Sequence, residues 1–151
     1  MLKNLNPHLN ADLLHVLRSM GHGDELILVD CNFPSDSVAA HTVSGKLIRM
    51  EGLNIPEVAE AILSVYPLDS FVPEPVLRME VVGNPDEWVE CHHEMKKVVD
   101  KISDREWKFG SIERHAFYER ARNAYAVVCA GGERRGYGLS LIHISEPTRL
   151  R

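Results

Sequence analysis

The sequence predicts a single α/β domain, a central β-sheet flanked by helices on both faces. Three observations carry that expectation. Residues 25–29, Glu-Leu-Ile-Leu-Val, are apolar after the first position without alternation, as a strand buried on both faces requires. Residues 125–129, Tyr-Ala-Val-Val-Cys, form a second such run, bounded by Gly131-Gly132. Segments with apolar residues at helical spacing lie around both, and strands alternating with helices build a sheet covered on two sides. At 151 residues the chain suits one domain with a real core. No internal repeat or linker divides it.

Taken in order, Asn10 is placed to cap a helix over 11–20, with Leu13, Leu14, Leu17 and Met20 on one face. Gly21 stands where a left-handed residue would end it. After the 25–29 strand, residues 31–37 read as a loop, because Pro34 bars regular structure. A short strand is expected over 46–50, and a helix over 56–66 opened by Pro56 and burying Val58, Ile62 and Val65. Pro67, Pro73 and Pro75 mark an extended connection, and residues 76–82 alternate enough for a half-exposed strand. Pro85 and Asp86 open a third helix to about 102, with Trp88, Cys91, Met95, Val98 and Ile102 on one stripe. A strand over 109–114 and a helix over 116–124 lead into the 125–129 strand.

The bulk numbers exclude several classes of function. A net charge of −5 and a pI near 5.9 argue against nucleic acid or an anionic membrane as partner. The first five residues lack the apolar run of a signal peptide, and no 18-residue apolar stretch exists. Three cysteines, Cys31, Cys91 and Cys129, follow no metal spacing and fit a reducing cytoplasm.

Two groups at the ends of the first strand invite chemistry. His22 lies between two glycines at the end of a helix, near the negative end of its dipole, where a ligand meets little steric obstruction. It reads either as a general acid/base or as a cap on the last helical carbonyls. Asp30 places a carboxylate at the carboxyl end of a buried strand, the edge where open α/β sheets bind ligands, or else starts a turn. Arg114, His115 and Tyr118 form a polar cluster at a strand-to-helix junction, whereas Glu119, Arg120 and Arg122 fit a solvated helix face. Cys91-His92-His93 lies in mid-helix with neighbours facing different ways, so exposed histidines rather than a metal site are expected. Gly131-Gly132 and Gly136-Tyr137-Gly138 match no phosphate-binding motif and read as turns, the second carrying an aromatic hydroxyl.

Several ordered motifs together carry a resemblance. Met20-Gly21-His22-Gly23-Asp24-Glu25, then Asp30 with Phe33-Pro34, Ile48-Arg49-Met50-Glu51-Gly52-Leu53 and Tyr66-Pro67-Leu68-Asp69-Ser70-Phe71-Val72 resemble the L-fucose mutarotase and D-ribose pyranase family. Ile112-Glu113-Arg114-His115-Ala116-Phe117-Tyr118-Glu119-Arg120-Ala121 and Gly132-Glu133 continue the match over roughly residues 1–138, closer to the fucose branch. The resemblance implies the three-layer sandwich of that family and a cofactor-free, metal-free isomerase that interconverts sugar anomers. It implies His22 as proton donor, Asp30 and Arg114 as sugar-binding residues, and Tyr137-Gly138 as the segment closing the site, with Tyr118 or Tyr137 assisting proton movement. It also implies ring-like decameric assemblies, with a monosaccharide such as L-fucose as the small-molecule partner.

Two departures stand out. Leu139 replaces the asparagine of the family's Tyr-Gly-Asn motif. Residues 139–151 depart from the family's ending and are similar to translated sequencing-adapter DNA, so the native domain is expected to be 1–138. Leu141, Ile142 and Ile144 of that tail could still fill a strand slot. Geometry adds one expectation. At ~3.3 Å per residue the strand from Glu25 to Asp30 spans about 17 Å. His22 and Asp30 of one chain are then too far apart for one small sugar, and a site shared between subunits is expected.

Overall fold

The computed structural model describes residues 2–103 and 105–143. The elements run α1 (Ala11–Ser19), β1 (Glu25–Val29), α2 (Ser35–Ala39), β2 (Leu47–Met50), α3 (Ile55–Leu63), β3 (Val76–Met79), α4 (Glu90–Ser103), β4 (Phe109–Ile112), α5 (Arg114–Asn123), β5 (Ala126–Ala130) and β6 (Ser140–His143). The strands form one six-stranded sheet in the order β2-β5-β1-β6-β3-β4. Five strands point the same way, and β6 runs antiparallel to both of its neighbours, β1 and β3.

Strand alternation divides the core in two. Leu26 and Leu28 face a cluster with Leu13 and Leu17 of α1, Val58 and Ile62 of α3, and Met95 and Val99 of α4. Ile27 and Val29 face the opposite cluster, with Val38 of α2 and Phe117 and Ala121 of α5. Leu26 to Val29 are wholly buried, so the continuous apolar run reflects two covered faces.

One topological fact positions the site. β5 and β6 are consecutive in the chain yet flank β1 on its two sides. Their connection, residues 131–139, must therefore cross the carboxyl end of β1, directly over Asp30. Leu141 and Ile142 occupy the interior slot between β1 and β3. Ile144 and the remaining tail lie outside the described residues.

Several boundaries depart from the sequence-based expectation. α1 stops at Ser19 because Met20 turns extended, and the left-handed residue is Gly23 at φ 87°, not Gly21. Asn10 caps α1 as expected, accepting from the Leu13 amide. Pro34 opens the short helix α2 rather than barring structure, since proline is tolerated where a helix starts. α3 begins at Ile55 behind a capping box, in which Asn54 and Glu57 satisfy each other's amides. β3 ends at Met79 and is more buried than its alternation implied, because β6 and β4 cover both of its edges. α4 starts at Glu90, later than Pro85, whose carbonyl is taken by Arg78 at 2.9 Å. β4 ends at Ile112 because Glu113 caps α5, its carboxylate accepting the His115 and Ala116 amides.

Gly132 is needed for close approach rather than for a turn. A Cβ there would stand 2.7 Å from the Gly52 carbonyl carbon, and the Gly132 amide donates to Leu53 at 2.8 Å. Gly132→Ala should push β5 and the β2–α3 loop apart, destabilising the fold by about 1–3 kcal/mol in denaturant titration. An unchanged midpoint would contradict this packing.

Candidate functional site

An open cavity of about 260 Å³ lies at the carboxyl edge of the sheet, lined by Asp30, Asn32, Phe33, Met79, Arg114, Tyr118, Gly136, Tyr137 and Leu139. Its floor is Asp30, only 3% exposed, which follows the last residue of β1. A carboxylate so buried needs donors, and two backbone amides provide them. Asn32 N–H donates to Oδ1 at 3.0 Å, and Gly138 N–H donates to Oδ2 at 3.2 Å from 108 residues later in the chain. Burial raises the Asp30 carboxyl above its ordinary value, and the amide bonds only partly oppose this.

The walls come from three further elements. Arg114 is the exposed first residue of α5, its guanidinium 5.6 Å from the Tyr118 ring centroid. Tyr118 meets Phe33 edge-to-face at 5.1 Å. Tyr137 takes a left-handed φ of 64°, which turns the following Gly138 amide onto Asp30. Gly138 packs tightly here, since a Cβ would approach Glu133 Cγ at 3.1 Å and Asp30 Cβ at 3.5 Å.

Thus Asp30, Arg114, Tyr118 and Tyr137 meet in one cavity, with Gly138 bonded beneath it. His22 does not join them. It is exposed before the start of β1, at the opposite edge of the sheet, with its ring 5.6 Å edge-on from Phe71. A more apolar cavity of about 360 Å³, lined by Leu5, Leu14, Leu17, Arg18, Met20, Val65 and Tyr66, lies near that edge. It offers no carboxylate, and the carboxyl-edge cavity is the better site for a hydroxyl-rich ligand.

Two groups support the site without having been singled out for it by the sequence. Glu133 is 1% exposed and accepts the Ile55 amide at 3.1 Å and Arg135 Nε at 2.8 Å, while Arg135 also grips Glu94 at 2.8 Å. Burial pushes its carboxyl up, but Arg135 and the amides outweigh that and hold it below its usual range. Glu133 lies three residues beyond buried β5, past Gly131-Gly132, whereas Asp30 directly follows buried β1, so a carboxylate after a buried apolar run was the available signal, weaker here.

His92 was expected to be an exposed helix histidine and is instead 2% exposed. Position 92 lies four residues after Trp88 and three before Met95, on the edge of the apolar stripe of α4, and that spacing was the available signal. Its Nδ1 accepts the Val89 amide at 3.2 Å, and its Nε2 meets the Tyr137 carbonyl at 2.9 Å. Neighbouring Cys91 is likewise buried, its thiol pushed up to about 12 by burial and then by Glu133.

An open, mostly parallel sheet with a polar cavity at its carboxyl edge defines the class of small-ligand α/β domains. Comparison with known proteins narrows this. The model of the RbsD / FucU transport protein family matches residues 3–144, and the chain belongs to that family. It is 36% identical to the L-fucose mutarotase of Actinobacillus pleuropneumoniae over 142 residues, 94% of each chain. It is 39% identical to the fucose mutarotase of Homo sapiens over 145 residues, covering 91% of this chain and 88% of that one. Among solved structures, the fucose mutarotase of Streptococcus pneumoniae in complex with L-fucose superimposes with a TM-score of 0.85 at 35% identity, covering 97% of this chain and all 100% of that one.

His92 makes a stability prediction with a definite sign. Burial first, then the Arg78 and His93 charges, lower its pKa from 6.5 to about 4 against the bond to Tyr137. A lowered pKa means that the stabilisation is complete above 6.5 and is lost as pH falls through about 4, a difference of roughly 3 kcal/mol. In urea titrations the wild type should lose more stability than His92→Phe between pH 6.5 and 4. Asp30, raised in both, cancels in the comparison. Parallel curves would contradict the buried neutral imidazole.

Proposed function

We propose that this chain is an L-fucose mutarotase that interconverts the α and β anomers of the free sugar by acid/base ring opening, without cofactor or metal. The observation that carries the reading is the buried Asp30 carboxylate, held by the Gly138 amide beneath a cavity walled by Arg114, Tyr118 and Tyr137, in a chain similar throughout to a fucose mutarotase solved with L-fucose. Paired amides leave the carboxylate fixed but able to accept sugar hydroxyls. Arg114 offers donors at the rim, and the tyrosines offer both a ring face and a hydroxyl.

The reaction needs one acid and one base. Protonation of the ring oxygen and removal of the anomeric hydroxyl proton break the bond between C1 and the ring oxygen and form the aldehyde. Rotation about C1–C2 presents the other face, and the reverse proton transfers close the ring as the other anomer. His22 is the proposed acid. Asp30 and Arg114 hold hydroxyls, and Tyr118 or Tyr137 relays the proton.

His22 reaches the sugar from a neighbouring subunit in this reading, in a homo-oligomer of the ring-like, decameric kind. Its exposure at the far end of β1, beside Phe71 at 82% exposure, supports this: both are free to be covered by another copy. A cytoplasmic setting is proposed from the free Cys31, Cys91 and Cys129 thiols. Among the described residues no helix is long and apolar enough to cross a membrane.

Leu139 favours a second reading, a non-catalytic monosaccharide-binding accessory protein. It lines the cavity with an alkyl side chain where the family motif carries an amide. Exchange NMR on L-fucose separates the two. The first reading predicts accelerated anomer exchange that His22→Ala lowers by about 100-fold and that Leu139→Asn does not abolish. Equal rates for wild type and His22→Ala would remove His22 from the chemistry, and binding without acceleration would favour the second reading.

A further inference from the structure

Resting on the mutarotase reading of the cavity, we infer that His92 is a positioning residue for the reaction. It sets the Tyr137-Gly138 segment against Asp30 through the Tyr137 carbonyl and touches no sugar itself. The imidazole has two fixed partners on opposite sides. Val89 N–H donates to Nδ1 at 3.2 Å, so Nδ1 must be the acceptor. Nε2 therefore carries the proton and donates it to the Tyr137 carbonyl at 2.9 Å. One neutral tautomer satisfies both contacts, and the alternative would set a lone pair against a carbonyl oxygen.

The surroundings keep that tautomer in place. The ring is buried at 2% exposure, and Trp88 packs edge-on at 6.2 Å. Arg78 lies over the same Trp88 ring, 5.1 Å from its centroid, and donates to the Pro85 carbonyl at 2.9 Å. This arginine is 5% exposed, and its Nη1 has no hydrogen-bond partner among the described residues. An unneutralised cation nearby makes a second positive charge on His92 costly. α4 also starts here, and His92 takes the amide just before its first residue, so one side chain ties the helix start to the loop.

What the bond holds is a strained element. Tyr137 is one of two non-glycine residues with positive φ among the described residues, a conformation that persists when its surroundings enforce it. The next amide, Gly138 N–H, is one of the backbone donors on Asp30. If the Tyr137 carbonyl lost its partner, the 137–138 peptide could turn, removing that donor and swinging the Tyr137 ring out of the cavity wall.

Two substitutions separate positioning from helix capping. His92→Gln places an amide N–H near the former Nε2 and keeps the contact to Tyr137. His92→Asn places its polar atoms near the former Nδ1 and keeps only the contact to Val89. The readouts are L-fucose exchange NMR, giving kcat and KM, and urea unfolding of each variant. Positioning predicts that His92→Asn loses about 10-fold or more in kcat, because small misplacements carry large rate costs, while His92→Gln stays within about 3-fold of wild type at comparable stability. Equal kcat for Asn, Gln and wild type would overturn the inference, as would losses that follow unfolding midpoint alone. A wild type without exchange activity would instead overturn the mutarotase reading, and then L-fucose affinity of the two variants by calorimetry decides: Asn weaker than Gln supports the positioning role, and equal affinities refute it.

Discussion

Burying Asp30 creates an obligation that much of the structure is arranged to meet. Its carboxylate is buried at the end of a strand whose last four residues, Leu26 to Val29, are apolar and wholly buried, so both oxygens require donors. One comes cheaply, from the Asn32 amide two residues on. The other comes from Gly138 and requires the distant end of the chain to lie across β1. The strand order provides that crossing, because β5 and β6 sit on either side of β1 and their connection can only pass over its carboxyl end.

The crossing segment is then fastened at several points. Glu133 bonds the start of α3 and, through Arg135, Glu94 on α4, and Cys31 N–H donates to the Glu133 carbonyl at 3.0 Å. His92 holds the Tyr137 carbonyl from α4. Packing around Gly138 is tight, with Glu133 Cγ 3.1 Å from where a Cβ would stand. A carboxylate at the bottom of a cavity is thereby kept rigid, which is what binding hydroxyls in a fixed orientation demands. β1 also separates two sets of groups: Asp30, Arg114, Tyr118 and Tyr137 gather at its carboxyl end, and His22 stays at its amino end, exposed.

Local sequence showed much of this, in uneven measure. The buried strands were legible because their apolar runs were continuous, and Asn10 and Asp30 because each stood at the end of a periodic pattern. α2 was missed because proline forbids a helix interior but not a helix start. α4 was begun too early because Pro85-Asp86 mimics an opening, while the Pro85 carbonyl is claimed by Arg78, a contact that sequence spacing does not reveal. The family motifs pointed to Arg114, Tyr118 and Tyr137, which the fold brings together. The buried bonding of His92 and Glu133 is not legible in the sequence because their partners Tyr137 and Ile55 lie 45 and 78 residues away. Their burial follows from tertiary crossing rather than from neighbouring residues.

In the proposed mechanism acid and sugar-holder come from different copies of the chain. Subunit mixing tests it most directly: His22→Ala and Asp30→Ala proteins, each inactive alone, are dissociated and reassembled together, and L-fucose anomer exchange is followed by NMR. A site built from two subunits should regain up to about a quarter of wild-type exchange, since random assembly pairs one intact His22 with one intact Asp30 at that frequency. Mixed assemblies that form but stay inactive would contradict it and return both residues to a single chain.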